Sequence, residues 1–391
     1  MPGPLTRQLP GLLLAAFLLP ALVTSCSHRT PTPAPLSEAP GATTTAAVSA
    51  DAVCEQLAAL PLRDKLAQLV MVGVRDAADA RAVVNDHHVG GIFIGSWTEL
   101  SMLTDGSLEE IAGTDTLLPL AVSVDEEGGR VSRLSKLIGS SPSAKELAAT
   151  RSAAQVRELA AERGRKMADL GITVDFAPVV DVVDAGTDDE TVIGDRSFGS
   201  DPAKVTEYAG AYAQGLRDAG LLPVLKHFPG HGHGSGDSHT AGAVATPPLA
   251  QLQDNDLVPY RTLVTEGPVA VMLGHLEVPG LTEDPASLSP AAVSLLRTGT
   301  GYHGPAFDGL VFSDDLSSMA AITEHYGVAE AVLRSLAAGV DVALWVTTDE
   351  VPAVLDRLEQ AVAAGELKQD GIDASLARVA AVKKPGTHCH W

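Results

Sequence analysis

Aromatic side chains are scarce: Phe, Trp and Tyr together supply 4% of the 391 residues. A core so poor in rings has to be built from Ala, Val and Leu, which suits a regular scaffold. Positive charge is also short. Lys and Arg number 27 against 49 Asp and Glu, a formal net charge of −22. A chain this acidic is repelled by phosphate backbones, so nucleic acid is excluded as the expected partner. No apolar run reaches the roughly 20 residues of a membrane-spanning helix. What remains is ordinary globular composition, 45% hydrophobic and 19% charged. The length allows two average domains or one large barrel.

The longest apolar run, "LPGLLLAAFLLPALV" (9–23), follows Arg7 and contains two prolines. It has the form of an export signal. It ends in "VTSC" (23–26), and small residues just before a cysteine resemble the lipobox of bacterial lipoproteins. The resemblance implies cleavage after residue 25 and a lipid on the sulfur of Cys26. A plain secretory signal cut near the same place is the alternative. Residues 27–50 are mostly Ser, Thr, Pro and Ala with no hydrophobic period, so they cannot bury a core. They read as a tether that reaches roughly 70–80 Å when extended. The expected organisation is a signal over 1–25, lipidated Cys26 with a tether over 26–50, and one catalytic domain over 51–391. The protein is then exported and held by lipid on the outer face of the cell membrane, facing the wall. Of the three cysteines, Cys54 and Cys389 remain and bracket the folded region. In an oxidising compartment such a pair can staple the two ends together, or remain as two thiols.

Eight short apolar or β-branched runs recur: 69–74, 91–95, 120–125, 173–180, 222–228, 269–275, 310–315 and 341–346. Between them, 144–169, 202–219, 249–265 and 317–338 carry apolar residues at helical spacing. Strands alternating with helices imply a parallel sheet, and eight repeats point to an α/β fold, a closed (β/α)8 barrel. The open doubly wound alternative should carry G-x-G-x-x-G after its first strand, and "VGVRDAADA" there does not supply it.

Barrel enzymes place their chemistry at the C-terminal ends of the strands. At those positions stand Asp125, Asp181, Lys226 with His227, His275, Asp314 with Asp315, and Trp345. Polar residues thus converge on one rim from otherwise apolar strands. The loop "KHFPGHGHGSGDSHT" (226–240) holds four histidines.

Four segments, "VDEEGGRVSR" (124–133), "DRSFGSD" (195–201), "KHFPGHGHGSGDSHT" and "FSDDLSSMAAI" (312–322), resemble the motifs of glycoside hydrolase family 3. They are most similar to those of its bacterial β-N-acetylglucosaminidases that trim peptidoglycan. The resemblance spans about 55–380. It implies a retaining double displacement through a covalent glycosyl-enzyme. It makes Asp314 the nucleophile, with Asp315 as the rival, since only one of two neighbours on a strand faces a given side. It makes His239, paired with Asp237, the acid/base on a mobile loop. An imidazole with a pKa near 6.5 can give and take a proton near neutrality, and a carboxylate on its other nitrogen orients it. Alternating glycines through this loop suggest a permissive backbone that lets His239 swing. The resemblance also matches Asp125, Arg133, Arg196, Lys226 and His227 to sugar-binding positions. Arg130 is set aside as a loop brace, paired with Glu126 or Glu127. Asp175, Asp181, His275 and Trp345 stay open.

The expected activity is removal of terminal β-linked GlcNAc from peptidoglycan fragments by a β-N-acetylhexosaminidase. The expected partner is a GlcNAc-containing glycan or muropeptide, with the membrane met only through lipid. No cofactor or metal is called for, and a monomer is expected. His231-x-His233 with His239 could supply three zinc ligands, but a glycine-rich loop is a poor frame for them. A β-N-acetylglucosaminide phosphorylase, a β-glucosidase of the same fold and a non-enzymatic wall-glycan-binding lipoprotein remain as other readings. β-Glucosidase relatives usually add a second domain, for which little chain follows the barrel.

Overall fold

The computed structural model describes residues 49–113, 117–237, 242 and 244–391. Cys26, the signal, most of the tether, and His239 lie outside the described residues. The eight apolar runs form β1 (Val70–Val74), β2 (Gly91–Ile94), β3 (Ala121–Val124), β4 (Val174–Asp175), β5 (Leu222–Phe228), β6 (Ala270–Leu273), β7 (Val311–Ser313) and β8 (Ala343–Trp345). All pair in parallel, in the order β8-β1-β2-β3-β4-β5-β6-β7. A parallel bridge between Phe312 and Val342 closes the ring. The expected (β/α)8 barrel is therefore the fold. A short antiparallel hairpin, Glu126–Gly128 with Val131–Ser132, caps the rim after β3.

Strand parity decides which side chains face the barrel axis. Met71 pairs with Gly91 and Leu344, and Phe93 pairs with Ser123. Ser123 Oγ lies 2.9 Å from Met71 Sδ. Phe93, Phe176 and Phe312, from distant strands, pack ring to ring at 5.8 and 5.4 Å between centroids. These contacts are possible only across the barrel interior. Counting on by two, position 95, Asp125 and Asp314 face inward at the mouth. Asp175, Asp315 and Trp345 fall on the opposite parity, toward the helices.

Helices cover the outside, and several end earlier than their hydrophobic period predicts. The stretch 144–169 is two helices, Ala144–Thr150 and Ala153–Asp169. The second starts at Ser152, whose hydroxyl caps the Gln155 N–H while the Gln155 side chain caps Ser152. The stretch 249–265 also splits, into Leu249–Asp254 and Tyr260–Leu263, with Pro259 opening the second. In 317–338, Ala320–Thr323 is a single turn and the main helix is Val328–Ala338.

Helix Ala50–Ala58 is joined to the C-terminal tail by a Cys54–Cys389 disulfide. Cys389 also borders a cavity of about 1550 Å³ with Leu120, Leu222 and Leu310, residues at the N-terminal ends of strands. This cavity is thus on the face opposite the mouth where Asp125 and Asp314 stand. Among the described residues, no helix is long and apolar enough to cross a membrane.

Candidate active site

β7 is followed by two consecutive aspartates, and the backbone treats them differently. Asp315 is saturated by its own loop: its carboxylate accepts from Ser317 N (2.9 Å), Ser317 Oγ (2.8 Å), Ser318 N (3.2 Å) and Ser318 Oγ. Burial raises its pKa against those donors. Asp314, of inward parity, accepts one described hydrogen bond, from the Asp315 N–H at 2.9 Å.

The Asp314 carboxyl is held below its ordinary pKa. Burial works against this, but His275, His227, the Asp315 amide and Lys226 outweigh it. His275 itself is fully buried and its pKa is lowered by that burial. Its Nε2–H donates to Asp315 O (2.7 Å) and its Nδ1 accepts from Ser287 Oγ (2.6 Å). With that ring held toward its neutral form, His227, the Asp315 amide and the Lys226 ammonium are the groups that keep Asp314 ionised. His275 braces the end of β7 through the Asp315 carbonyl.

Across the mouth, Lys226 and Arg196 converge on a carboxylate that the sequence did not single out. Lys226 Nζ is 2.7 Å from Asp125 Oδ1 and 2.6 Å from Glu127 Oε1. Arg196 grips Glu127 with both arms, at 2.8 and 2.9 Å. Burial alone would raise the Glu127 pKa, yet the two cations hold it well below the usual carboxylate range. Asp125 and Glu127 are two apart, so the parity that brings Asp125 inward was the available signal for Glu127. Next to the exposed-looking run "DEEGGR", it reads instead as a solvated face.

Asp181 organises the other wall. His227 Nδ1 lies 2.7 Å from its carboxylate, and the His231 N–H donates to it at 2.7 Å. That carboxylate orients the ring, whose Nε2 lies 3.5 Å from Arg196 Nη2. Burial would raise the Asp181 pKa, but His227 and His231 bring it down. Arg133 is half-buried, and no hydrogen bond or ion pair from its guanidinium is found among the described residues. Its N–H and that of Leu134 donate to Glu126. Glu126 is otherwise taken by Ser132 and Arg163, so it holds the hairpin.

Three sequence readings change here. Arg130 does brace a loop, but through Asp195 and the carbonyls of 191–193, not through Glu126 or Glu127. Asp175 accepts from the Glu126 N–H at 3.0 Å and is pushed well above its ordinary pKa by burial, so it is a buried support on the helix side. The glycine-rich segment is not permissive at its root. A Cβ at Gly232 would lie 1.8 Å from Val182 O, and one at Gly230 would lie 2.4 Å from Asp256 Cβ. Those glycines allow close packing. His231 and His233 do not converge: the His231 ring packs on His227 at 5.8 Å, while His233 Nδ1 sits 2.9 Å from Asp256. Asp237 is half-buried at the end of this segment.

Residues 61–382 match the glycosyl hydrolase family 3 N-terminal domain. The beta-hexosaminidase LpqI of Mycobacterium tuberculosis is 66% identical over 376 residues, which span 94% of this chain and 96% of that protein. A solved family 3 glycosyl hydrolase from Mycobacterium smegmatis superposes with a TM-score of 0.82 at 73% identity, covering 84% of this chain and 99% of that one. A family 3 β-N-acetylglucosaminidase from a Paenibacillus species gives a TM-score of 0.76 at 34% identity, covering 83% of this chain and 62% of that one.

Proposed function

The chain belongs to glycosyl hydrolase family 3, and on that premise we propose that this β-hexosaminidase removes non-reducing terminal GlcNAc from peptidoglycan fragments with retention of configuration. Asp314 attacks the anomeric carbon, and the bond to the leaving oxygen breaks as His239 gives that oxygen its proton. His239 then takes a proton from water, which displaces the sugar from the Asp314 ester. Asp237 orients the imidazole. Asp125, Arg133, Arg196, Lys226 and His227 hold the sugar.

One observation carries the assignment. Asp314 is inward by strand parity, ionised and nearly free of donors, whereas Asp315 is consumed by Ser317 and Ser318. A carboxylate with few hydrogen bonds keeps its lone pairs for an electrophile. The cations at Lys226 and Arg196 are already neutralised by Asp125 and Glu127. They therefore present N–H donors to hydroxyl and amide oxygens without an uncompensated charge.

Export by the 1–25 signal, lipid on Cys26 and the 26–50 tether complete the reading, together with a monomeric state. The first three rest on the sequence pattern of residues 7–50. The test is hydrolysis of aryl β-GlcNAc and aryl β-glucoside side by side, with and without phosphate. Release of GlcNAc from the first substrate is expected. A preference for the glucoside would overturn the substrate, and GlcNAc 1-phosphate as product would make the enzyme a phosphorylase.

A further inference from the structure

We propose that Trp97 is a sugar-stacking residue, its indole forming a wall of the barrel mouth against which the apolar C–H face of a substrate pyranose lies. The proposal rests on the glycosidase reading and adds a binding residue that no motif supplies. It starts from "GIFIGSWTEL" (91–100). β2 ends at Ile94, which is level with Val124 of β3. Gly95 is therefore level with Asp125, and both are of inward parity. Gly95 has no side chain, and the indole fills the vacant place. A Cβ at Gly95 would lie 2.4 Å from Trp97 Cη2 and Cζ2. The same indole tilts over Phe93, the inward residue one step below, at 6.0 Å between centroids.

The turn that presents it is fixed. The Gly95 N–H donates to Thr98 Oγ1 at 2.9 Å, and that hydroxyl donates to Val74 O at 2.6 Å. The Glu99 N–H donates to Arg75 O at 2.7 Å. Thr98 is buried, yet Trp97 between these bonds is 46% exposed. Among the described residues, the other exposed large apolar ones are Leu137 and Trp391. Trp391 borders the cavity on the opposite face. A rigid half-exposed indole beside a carboxylate of the mouth has one face packed and the other in water. Pyranose rings with equatorial hydroxyls offer the matching surface, a patch of axial C–H groups.

The test separates stacking from simple cover. Trp97→Leu keeps an apolar plug over Phe93 and removes the flat face; Trp97→Phe keeps a smaller flat face. For aryl β-GlcNAc, Trp97→Leu is expected to raise KM about 10-fold with kcat and the melting temperature unchanged. Trp97→Phe should fall between. Unchanged KM in Trp97→Leu, or a matched fall in kcat and stability, overturns the proposal. Titration with N-acetylglucosamine gives a second readout. Trp345 is buried on the helix side and Trp391 is remote, so a change in emission that vanishes in Trp97→Leu is expected. A change that persists there overturns the proposal. If no N-acetylhexosaminide is cleaved at all, the activity reading fails, and the titration still decides on Trp97.

Discussion

Asp314 and Asp315 are neighbours in sequence whose carboxylates serve opposite sides of β7. The first is of inward parity at the barrel mouth, with one amide donor; the second is tied to the backbone and hydroxyls of Ser317 and Ser318. Asp314→Asn should keep the fold and lose on the order of 10⁴-fold in kcat. Asp315→Asn removes acceptor capacity from a buried four-donor site. It should cost about 1–3 kcal/mol of stability. Steady-state kinetics and urea melts of the two variants check the pair. Full turnover in Asp314→Asn would end the nucleophile assignment.

Under the proposed mechanism, the effect of removing His239 should depend on the leaving group. His239→Ala is expected to slow a natural glycan about 10²- to 10⁴-fold. An aryl glycoside with a strongly acidic phenol needs little protonation and should be slowed far less in the glycosylation step. A series of substituted phenols reads this as a steeper dependence on leaving-group pKa.

Glu127 is the buried hub between Arg196 and Lys226. Glu127→Gln leaves two buried cations short of a partner. It should cost about 3–5 kcal/mol and raise KM. The wild-type pH dependence has a definite sign. Glu127 and Asp181 have folded pKa values below their ordinary ones. Their contribution is complete above the unfolded carboxylate range, and it is lost as pH falls through and below about 4. Thermal melts from pH 7 to 3 should decline steeply in wild type and more gently in Glu127→Gln.

His233 works in the other direction. Its hydrogen bond to Asp256 raises its pKa above 6.5. The stability it adds is complete below about pH 6.5 and is lost as pH rises through the raised value. Burial pushes Asp256 up despite His233, which opposes the gain. The net effect is on the order of 1 kcal/mol or less. His233→Gln should flatten the melting-temperature profile above about pH 6.5, and an unchanged slope would refute the pairing.

The barrel was legible because each strand is an apolar run too short for a helix and each is followed by a helical period. Parity was not legible, since it needs the register. Asp175 and Trp345 stand at strand ends just as Asp125 does, and only the pairing of Val124 with Asp175 and of Val72 with Trp345 puts them on the helix side. The glycines of 230–236 misled for a related reason. Composition suggests freedom, but whether a glycine is loose or jammed depends on what touches it, and Val182 O touches Gly232. Glu127 was missed because a run of acids looks like a wet surface until Arg196 and Lys226 arrive from 69 and 99 residues away.

Reduction of the Cys54–Cys389 bond should lower stability by about 3–5 kcal/mol, given a separation of 335 residues. Activity at moderate temperature should persist, because the bond lies on the face away from the rim. Alkylation followed by mass measurement, with and without reductant, reports the bond directly.

That bond also makes the covalent structure circular between residues 54 and 389. One peptide cut anywhere inside the circle opens the ring without shedding a fragment. The nicked chain keeps its mass on a non-reducing gel and falls into two pieces only when the sulfurs part. Two cuts are the minimum for release. A protein built this way outlasts single nicks in its surface loops, provided its surroundings stay oxidising.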